Sequence, residues 1–194
     1  ANMTEWANFM TTGMPAGYSS RGGQVVNPYG ASLGPGGSSS GSAVAVAAGL
    51  CVVAVGTETS GSILSPANQN SVVGTKPTVG LVSRSGSVPI AASQDTAGPR
   101  ARTVADAAAL LGALTGVDPR DRATRRSRAH ADRDYKAFLD PRWLDGARLG
   151  VPRAVFFEGL SAVEAPVIEA ALQALCGLGA ILVDPADIPT AREV

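Results

Sequence analysis

The chain has 194 residues, of which 45% are hydrophobic and 16% charged, and its formal net charge is zero. That size and apolar share allow a sizeable core, while the balanced charge points to neither a nucleic-acid nor an acidic-membrane partner. The longest uncharged apolar run, Ala43 to Val55, is too short to span a bilayer.

Charge is distributed unevenly. Between Gly22 and Ser83 only Glu58 and Lys76 are charged, whereas Asp118 to Arg148 holds fifteen charged residues. The first stretch reads as protein interior and the second as solvated surface. Residues 1–35 are rich in turn formers and lack periodicity. "SGSAVAVAAGL" (40–50) is expected as a short buried helix, capped at its start by a serine and stopped near Gly49. "CVVAVGTE" (51–58) is apolar, continuous and β-branched, the pattern of a strand covered on both faces. "VGTKPTVGLVS" (73–83) reads as turn and strand. "TVADAAALLGALTG" (103–116) is a helix with Thr103 as N-cap, Asp106 in its first turn and Gly116 at its end.

"DPRDRATRRSRAHADRDYKAF" (118–138) is expected as a surface loop or amphipathic helix. Its interspersed Asp residues, and the absence of an aromatic platform, argue against nucleic-acid binding. "ARLGVPR" (147–153) reads as a strand. "SAVEAPVIEAALQALCGLG" (161–179) is a helix opened by a capping box, Ser161 with Glu164 three residues on. "AILVDPADIP" (180–189) supplies a following strand. Helices alternating with apolar strands predict an α/β fold, a mixed sheet core covered by helices. Cys51 and Cys176 have apolar neighbours and are expected to be buried free thiols, not a disulfide or a metal site. A cytoplasmic location is the default expectation, with an upstream secretion signal left open.

The chemistry concentrates between Gly30 and Ser62, which contains eight glycines and seven serines. Glycine permits close backbone approach and serine supplies hydroxyls. A packed turn-rich core with serine caps is one reading of this composition. "GSSSG" (37–41) matches G-x-S-x-G, but a nucleophile elbow follows a strand, and "YGASLGPGG" before it is loop. A Walker-type phosphate cradle needs Gly-Lys-Ser/Thr, and no lysine precedes Lys76. A serine nucleophile needs a base and an oxyanion hole. The single histidine, His130, lies in the charged segment and is a poor candidate for a triad. The alternative base is a desolvated lysine, for which only Lys76 and Lys136 are available. A second Gly/Ser turn, "VGTETSGSILSPA" (55–67), follows the apolar strand, and backbone N–H groups around Thr59, Ser60 and Gly61 could converge there on an oxyanion. A helix and a strand between Ser38 and Ser62 would bring the two serines together.

These residues are familiar as a set. "GGSSSGSAVAVAAGL", "VGTETSGSI", "VVGTKPTVGLVSRSG", "SQDTAGP" and "RTVADAAALL", in this order and spacing, resemble the amidase signature family of serine hydrolases over about residues 36–117. "NMTEWANF" and "RGGQVVNPYG" look most like its peptide amidase branch, whose members hydrolyse C-terminal peptide amides. The resemblance implies a Ser–cis-Ser–Lys triad. Ser62 falls on the nucleophile and Ser38 on the bridging serine, which follows a cis peptide bond. Backbone N–H groups from Thr59, Ser60, Gly61 and Ser62 would form the oxyanion hole. Ser39 and Thr57 fall on positions that support the network by hydrogen bonding. No cofactor and no metal are implied, and the expected partner is a small-molecule or peptide amide.

The family's base, an upstream lysine, has no counterpart here, because Lys76 in "GTKPT" matches a structural position. The chain therefore reads as an internal fragment of a single amidase domain, residues 1–194. It has a signature core at 36–117, a charged surface segment at 118–146 and the start of a helix-strand portion at 147–194. Ser60 stands where glycine or aspartate is commoner, and Ser71 replaces a usual glycine. Leu64 and Ser65 replace an arginine found after the nucleophile in many relatives, which favours a neutral amide over an anionic substrate. The expected reaction is hydrolysis of a carboxylic amide to acid and ammonia. The alternative is an inactive amidase-like scaffold or an amidotransferase-type subunit. Glu58 and Lys76, isolated charges in apolar surroundings, are expected to pair with each other or with residues outside the chain.

Overall fold

A computed structural model of the chain describes residues 3–8 and 15–193. Parts of "NMTEWANF", Asn2 and Phe9 among them, lie outside the described residues. The chain divides into two compact units, Ala1–Phe138 and Leu139–Val194. The division falls inside the charged segment.

In the first unit a small hairpin, β1 (Tyr18–Ser19) and β2 (Gly23–Gln24), precedes helix α1 (Ser40–Ala47). Strand β3 (Val53–Glu58), helix α2 (Leu64–Gln69) and strands β4 (Val73–Gly74) and β5 (Thr96–Ala101) follow, then helix α3 (Val104–Leu114). The sheet order is β3-β5-β4, and both pairings are antiparallel. Val46 of α1, Ile63 and Ala101 of β5 are fully buried between the helices and this sheet.

Strand β5, "TAGPRA", is absent from the expected elements, yet it is the central strand and every residue of it is buried. Gly98 and Pro99 weaken its strand signal, and its position is fixed by two neighbouring strands. Conversely, β3 is an edge strand and is not covered on both faces. Its burial alternates, and Val55 is 42% exposed.

Helix α1 ends at Ala47, and Gly49 turns the chain with φ +71, a conformation that favours glycine. Its N-cap residue is Ser39, but the Ser39 side chain makes no cap bond. Helix α3 starts as its sequence dictates, with the Thr103 hydroxyl accepting from the Asp106 N–H at 3.1 Å. Ser71 takes φ +51 in the turn after α2, the left-handed conformation that glycine supplies without strain.

Residues Arg122–Ser127 and Tyr135–Phe138 form 3-10 turns, so the charged segment is not one amphipathic helix. Nor is it wholly solvated, because Asp121, Thr124 and Ser127 are buried. The Arg84 fork holds Asp121 through Nε at 2.9 Å and a terminal nitrogen at 2.8 Å.

The second unit is a parallel β-α-β arrangement. Strand β6 (Arg148–Gly150) pairs with β7 (Ile181–Val183), and α4 (Glu164–Gly177) connects them. The capping box is formed: Ser161 N–H donates to the Glu164 carboxylate at 2.9 Å, and Glu164 N–H to the Ser161 hydroxyl at 3.2 Å. Arg153 pairs with both Glu169 and Asp184. The chain thus carries mixed sheets with helices, an α/β fold as expected. Both cysteines are free, but neither is buried: Cys51 is half-buried and Cys176 exposed.

Candidate active site

The site is built where two turns meet behind β3. The first turn leads into α1. Gly36 has φ +64, and a side chain there would meet the Pro66 backbone at 2.7 Å, so only glycine fits. The Gly37–Ser38 peptide bond is cis. The Ser38 carbonyl accepts from the Thr4 N–H at 2.8 Å. Of the three serines, Ser39 and Ser40 are fully buried and Ser38 nearly so. Their hydroxyls have different tasks. Ser40 donates to the Gly36 carbonyl at 2.5 Å, closing the turn on itself. Ser39 donates to the Thr57 carbonyl at 2.9 Å and accepts from the Thr57 N–H at 3.0 Å, which ties α1 to β3.

The second turn runs from the end of β3 to α2. Gly61 has φ +81 and open space around its Cα. The N–H groups of Ser60, Gly61 and Ser62 donate to no acceptor among the described residues. Unpaired N–H groups around a left-handed residue form an anion-binding concavity. The two turns are joined directly, since the Ser39 N–H donates to the Ser62 carbonyl at 3.2 Å.

Ser38 and Ser62 line the same cavity, about 40 Å³ in volume, with Thr57, Glu58, Thr59 and Asp95 also on its wall. Ser60 and Gly61 lie on the turn beside it, and Ser39 is enclosed behind it. The helix and strand between the serines bring them together in the way their spacing predicts.

Three charged residues, Glu58, Asp95 and Arg84, line this wall. Glu58 is 4% exposed, and its carboxylate accepts from Ile63 N–H at 2.6 Å and Leu64 N–H at 2.9 Å, at the positive start of α2. It does not pair with Lys76, whose ammonium reaches the Gln94 carbonyl at 3.4 Å. The charge facing Glu58 is Arg100 on β5, which is fully buried. Burial lowers the Arg100 pKa to about 10, against the opposing pull of Glu58.

Asp95 accepts from the Thr59 hydroxyl at 2.6 Å and from Ile90 N–H at 3.0 Å. Burial raises the Asp95 pKa, but the bonds from Thr59, Ala91 and Ile90 and the Arg84 charge outweigh it, and the net shift is downward. Arg84 also lines the cavity, yet its fork is taken up by Asp121 and by the Ala92 carbonyl. The isolation of Glu58 in the sequence signalled its importance. Arg100 gave no such signal, because its role depends on a strand that pattern reading does not find.

The family model described as Amidase matches residues 1–194. The chain belongs to the amidase family. A probable amidase of Arabidopsis thaliana is 55% identical over 152 residues, covering 78% of this chain and 30% of that protein. A glutamyl-tRNA(Gln) amidotransferase subunit of Halorhodospira halophila is 50% identical over 162 residues, 84% of this chain and 33% of that protein. The crystal structure of native peptide amidase from Stenotrophomonas maltophilia superposes with a TM-score of 0.90 at 52% identity, covering 99% of this amidase chain and 39% of that one. The chain thus spans about a third of the length of the curated amidase relatives it matches. Among the described residues no helix is long and apolar enough to cross a membrane, and no group of three or more His, Cys, Asp or Glu side chains could hold a metal ion.

Proposed function

We propose that the protein hydrolyses a neutral carboxylic amide to the acid and ammonia, with the chemistry carried by segment 36–117. The observation that carries this reading is the shared cavity of Ser38 and Ser62 beside unpaired turn N–H groups. Ser62 attacks the amide carbonyl. The N–H groups of the turn from Thr59 to Ser62 hold the oxygen that becomes negative. Ser38 passes the Ser62 proton to a base and returns one to the departing ammonia. Water then attacks the acyl-enzyme and releases the acid.

The base is a lysine outside these 194 residues. Neither Lys76 nor Lys136 lines the cavity, and no histidine does. A neutral small-molecule or peptide amide fits a site whose charged wall residues are taken up internally: Glu58 by the Ile63 and Leu64 N–H groups, Asp95 by the Thr59 hydroxyl and the Ile90 N–H, and Arg84 by Asp121. The one arginine on the cavity wall among the described residues, Arg84, is already bound by Asp121 and offers no spare fork for a substrate carboxylate. The domain containing the chain is cytoplasmic in this reading.

In the full-length protein, Ser62→Ala is expected to abolish release of ammonia from a C-terminal peptide amide while the far-UV circular dichroism stays that of the native protein. Normal turnover by Ser62→Ala would refute the assignment. Absence of turnover in the parent protein would instead favour the scaffold or amidotransferase-type reading.

A further inference from the structure

One peptide unit in this site is held at both of its polar ends by opposite buried charges. The unit is Ser62–Ile63. Its N–H donates to the Glu58 carboxylate at 2.6 Å. Its carbonyl, that of Ser62, accepts from one terminal nitrogen of Arg100 at 2.9 Å. The same nitrogen donates to the next carbonyl, Ile63, at 2.8 Å. Glu58 is 4% exposed and Arg100 0%. A carboxylate and a guanidinium, each stripped of water, therefore grip the peptide that carries the reacting serine.

The cost of this arrangement is visible in the same residues. The other two guanidinium nitrogens of Arg100, Nε and Nη1, are buried and make no hydrogen bond among the described residues. A buried donor without an acceptor is unfavourable, and a core position on a central strand is ordinarily apolar. The neighbouring strand makes room for the group. Gly56 faces it, and a Cβ there would lie 2.7 Å from Arg100 Nε. Burial of a whole guanidinium, with a glycine opposite and two donors unmatched, is not what packing alone selects.

We infer that Arg100 is a positioning residue for the nucleophile, fixing the Ser62–Ile63 peptide jointly with Glu58 so that the Ser62 hydroxyl and the N–H groups of its turn keep one orientation. The inference rests on the proposed hydrolase reading. A peptide clamped at its N–H and its carbonyl cannot rotate about its flanking bonds without breaking a charge-assisted bond in a dry site. Small displacements of a nucleophile are costly in rate, with a shift of about 1 Å costing up to ~100-fold. The clamp acts on the attack and not on substrate affinity, because Arg100 does not line the cavity.

The test uses the full-length protein with Ser62→Ala, Arg100→Met, Arg100→Lys and the double variant Arg100→Met/Glu58→Gln. Ammonia release is measured for kcat and KM, and thermal unfolding for stability. Arg100→Met is expected to lower kcat by ~10- to 100-fold with KM within about threefold of the parent. Arg100→Lys restores part of kcat, since a single nitrogen serves both carbonyls in the parent. The double variant removes both buried charges, so it regains stability but not kcat. It decides the question if Arg100→Met alone does not fold.

Parental kcat in Arg100→Met, or recovery of kcat together with stability in the double variant, would overturn the inference and leave Arg100 a packing residue. Ser62→Ala separates the two levels. An inactive Ser62→Ala beside a fully active Arg100→Met defeats only the positioning role. An active Ser62→Ala defeats Ser62 as the nucleophile, and with it the reading on which the inference rests.

Discussion

Ser39 and Thr57 exchange two hydrogen bonds through one hydroxyl. The Ser39 side chain donates to the Thr57 carbonyl and accepts from the Thr57 N–H, at 2.9 and 3.0 Å. A side chain at the start of a helix thereby behaves as an added strand residue on the free edge of β3. It fixes the distance between the turn that holds Ser38 and the strand that leads to Ser62. Replacing Ser39 by Ala leaves both backbone groups of Thr57 without this partner. The expected loss is about 1–3 kcal/mol of stability, measured by urea denaturation of the full-length protein. An unchanged midpoint would show that water satisfies Thr57 instead.

Asp95 ties the loop before β5 to the turn that bears Ser62, the proposed nucleophile, through the Thr59 hydroxyl at 2.6 Å. Asp95→Ala releases Thr59 and the N–H groups of Ile90 and Ala91. The expected result is a kcat lower by ~10-fold or more through misplacement of the turn. Steady-state kinetics on an amide substrate check it, and a kcat equal to the parent's would remove Asp95 from the machinery.

The acid side of the stability profile is set by carboxylates whose pKa values are depressed in the folded state. The Arg84 fork is the main cause at Asp121. Burial opposes it, and backbone N–H groups of Arg84 and Ala123 assist it. Asp118 is lowered to about 2, chiefly by the Arg120 side chain. A depressed carboxylate stabilises the fold fully above its unfolded pKa of about 3.9 and loses that contribution as pH falls through the folded value. The denaturation midpoint is therefore expected to be flat from about pH 7 to 5 and to fall below about pH 4. Asp121→Asn lowers the plateau and flattens the acid limb. An identical acid limb in that variant would assign the effect to other groups.

Gly56 is the position where β3 concedes space to the Arg100 guanidinium. Gly56→Ala places a methyl group against Nε, and either the arginine or the strand must move. A destabilisation of about 1–3 kcal/mol is expected from overpacking, accompanied by a fall in kcat if the displaced arginine loosens Ser62. Stability and kcat measured on the same preparation test both parts. A variant as stable as the parent would mean that the guanidinium has room to shift.

Much of this protein is determined locally and is legible in its sequence. Helix α3 announces itself through Thr103 and Asp106, and α4 through Ser161 and Glu164, because a cap bond joins residues three apart. The β6-α4-β7 unit follows from the alternation of pattern alone. The Gly/Ser turns around Ser38 and Ser62 are equally visible, since only such residues allow the tight backbone they need. What tertiary structure alone decided is the set of partners across long separations. Strand β5 contains Gly98 and Pro99 and carries no convincing strand signal, yet pairing with β3 and β4 places it at the centre of the sheet. Sequence isolation marked Glu58 as a buried charge but suggested Lys76 as its partner. Only the pairing of β3 with β5 sets Arg100 beside it and the Ser62–Ile63 peptide between their bonds. Caps and turns are short-range interactions written in neighbouring residues. The charges that hold the candidate nucleophile are long-range contacts, and they exist only once the sheet has formed.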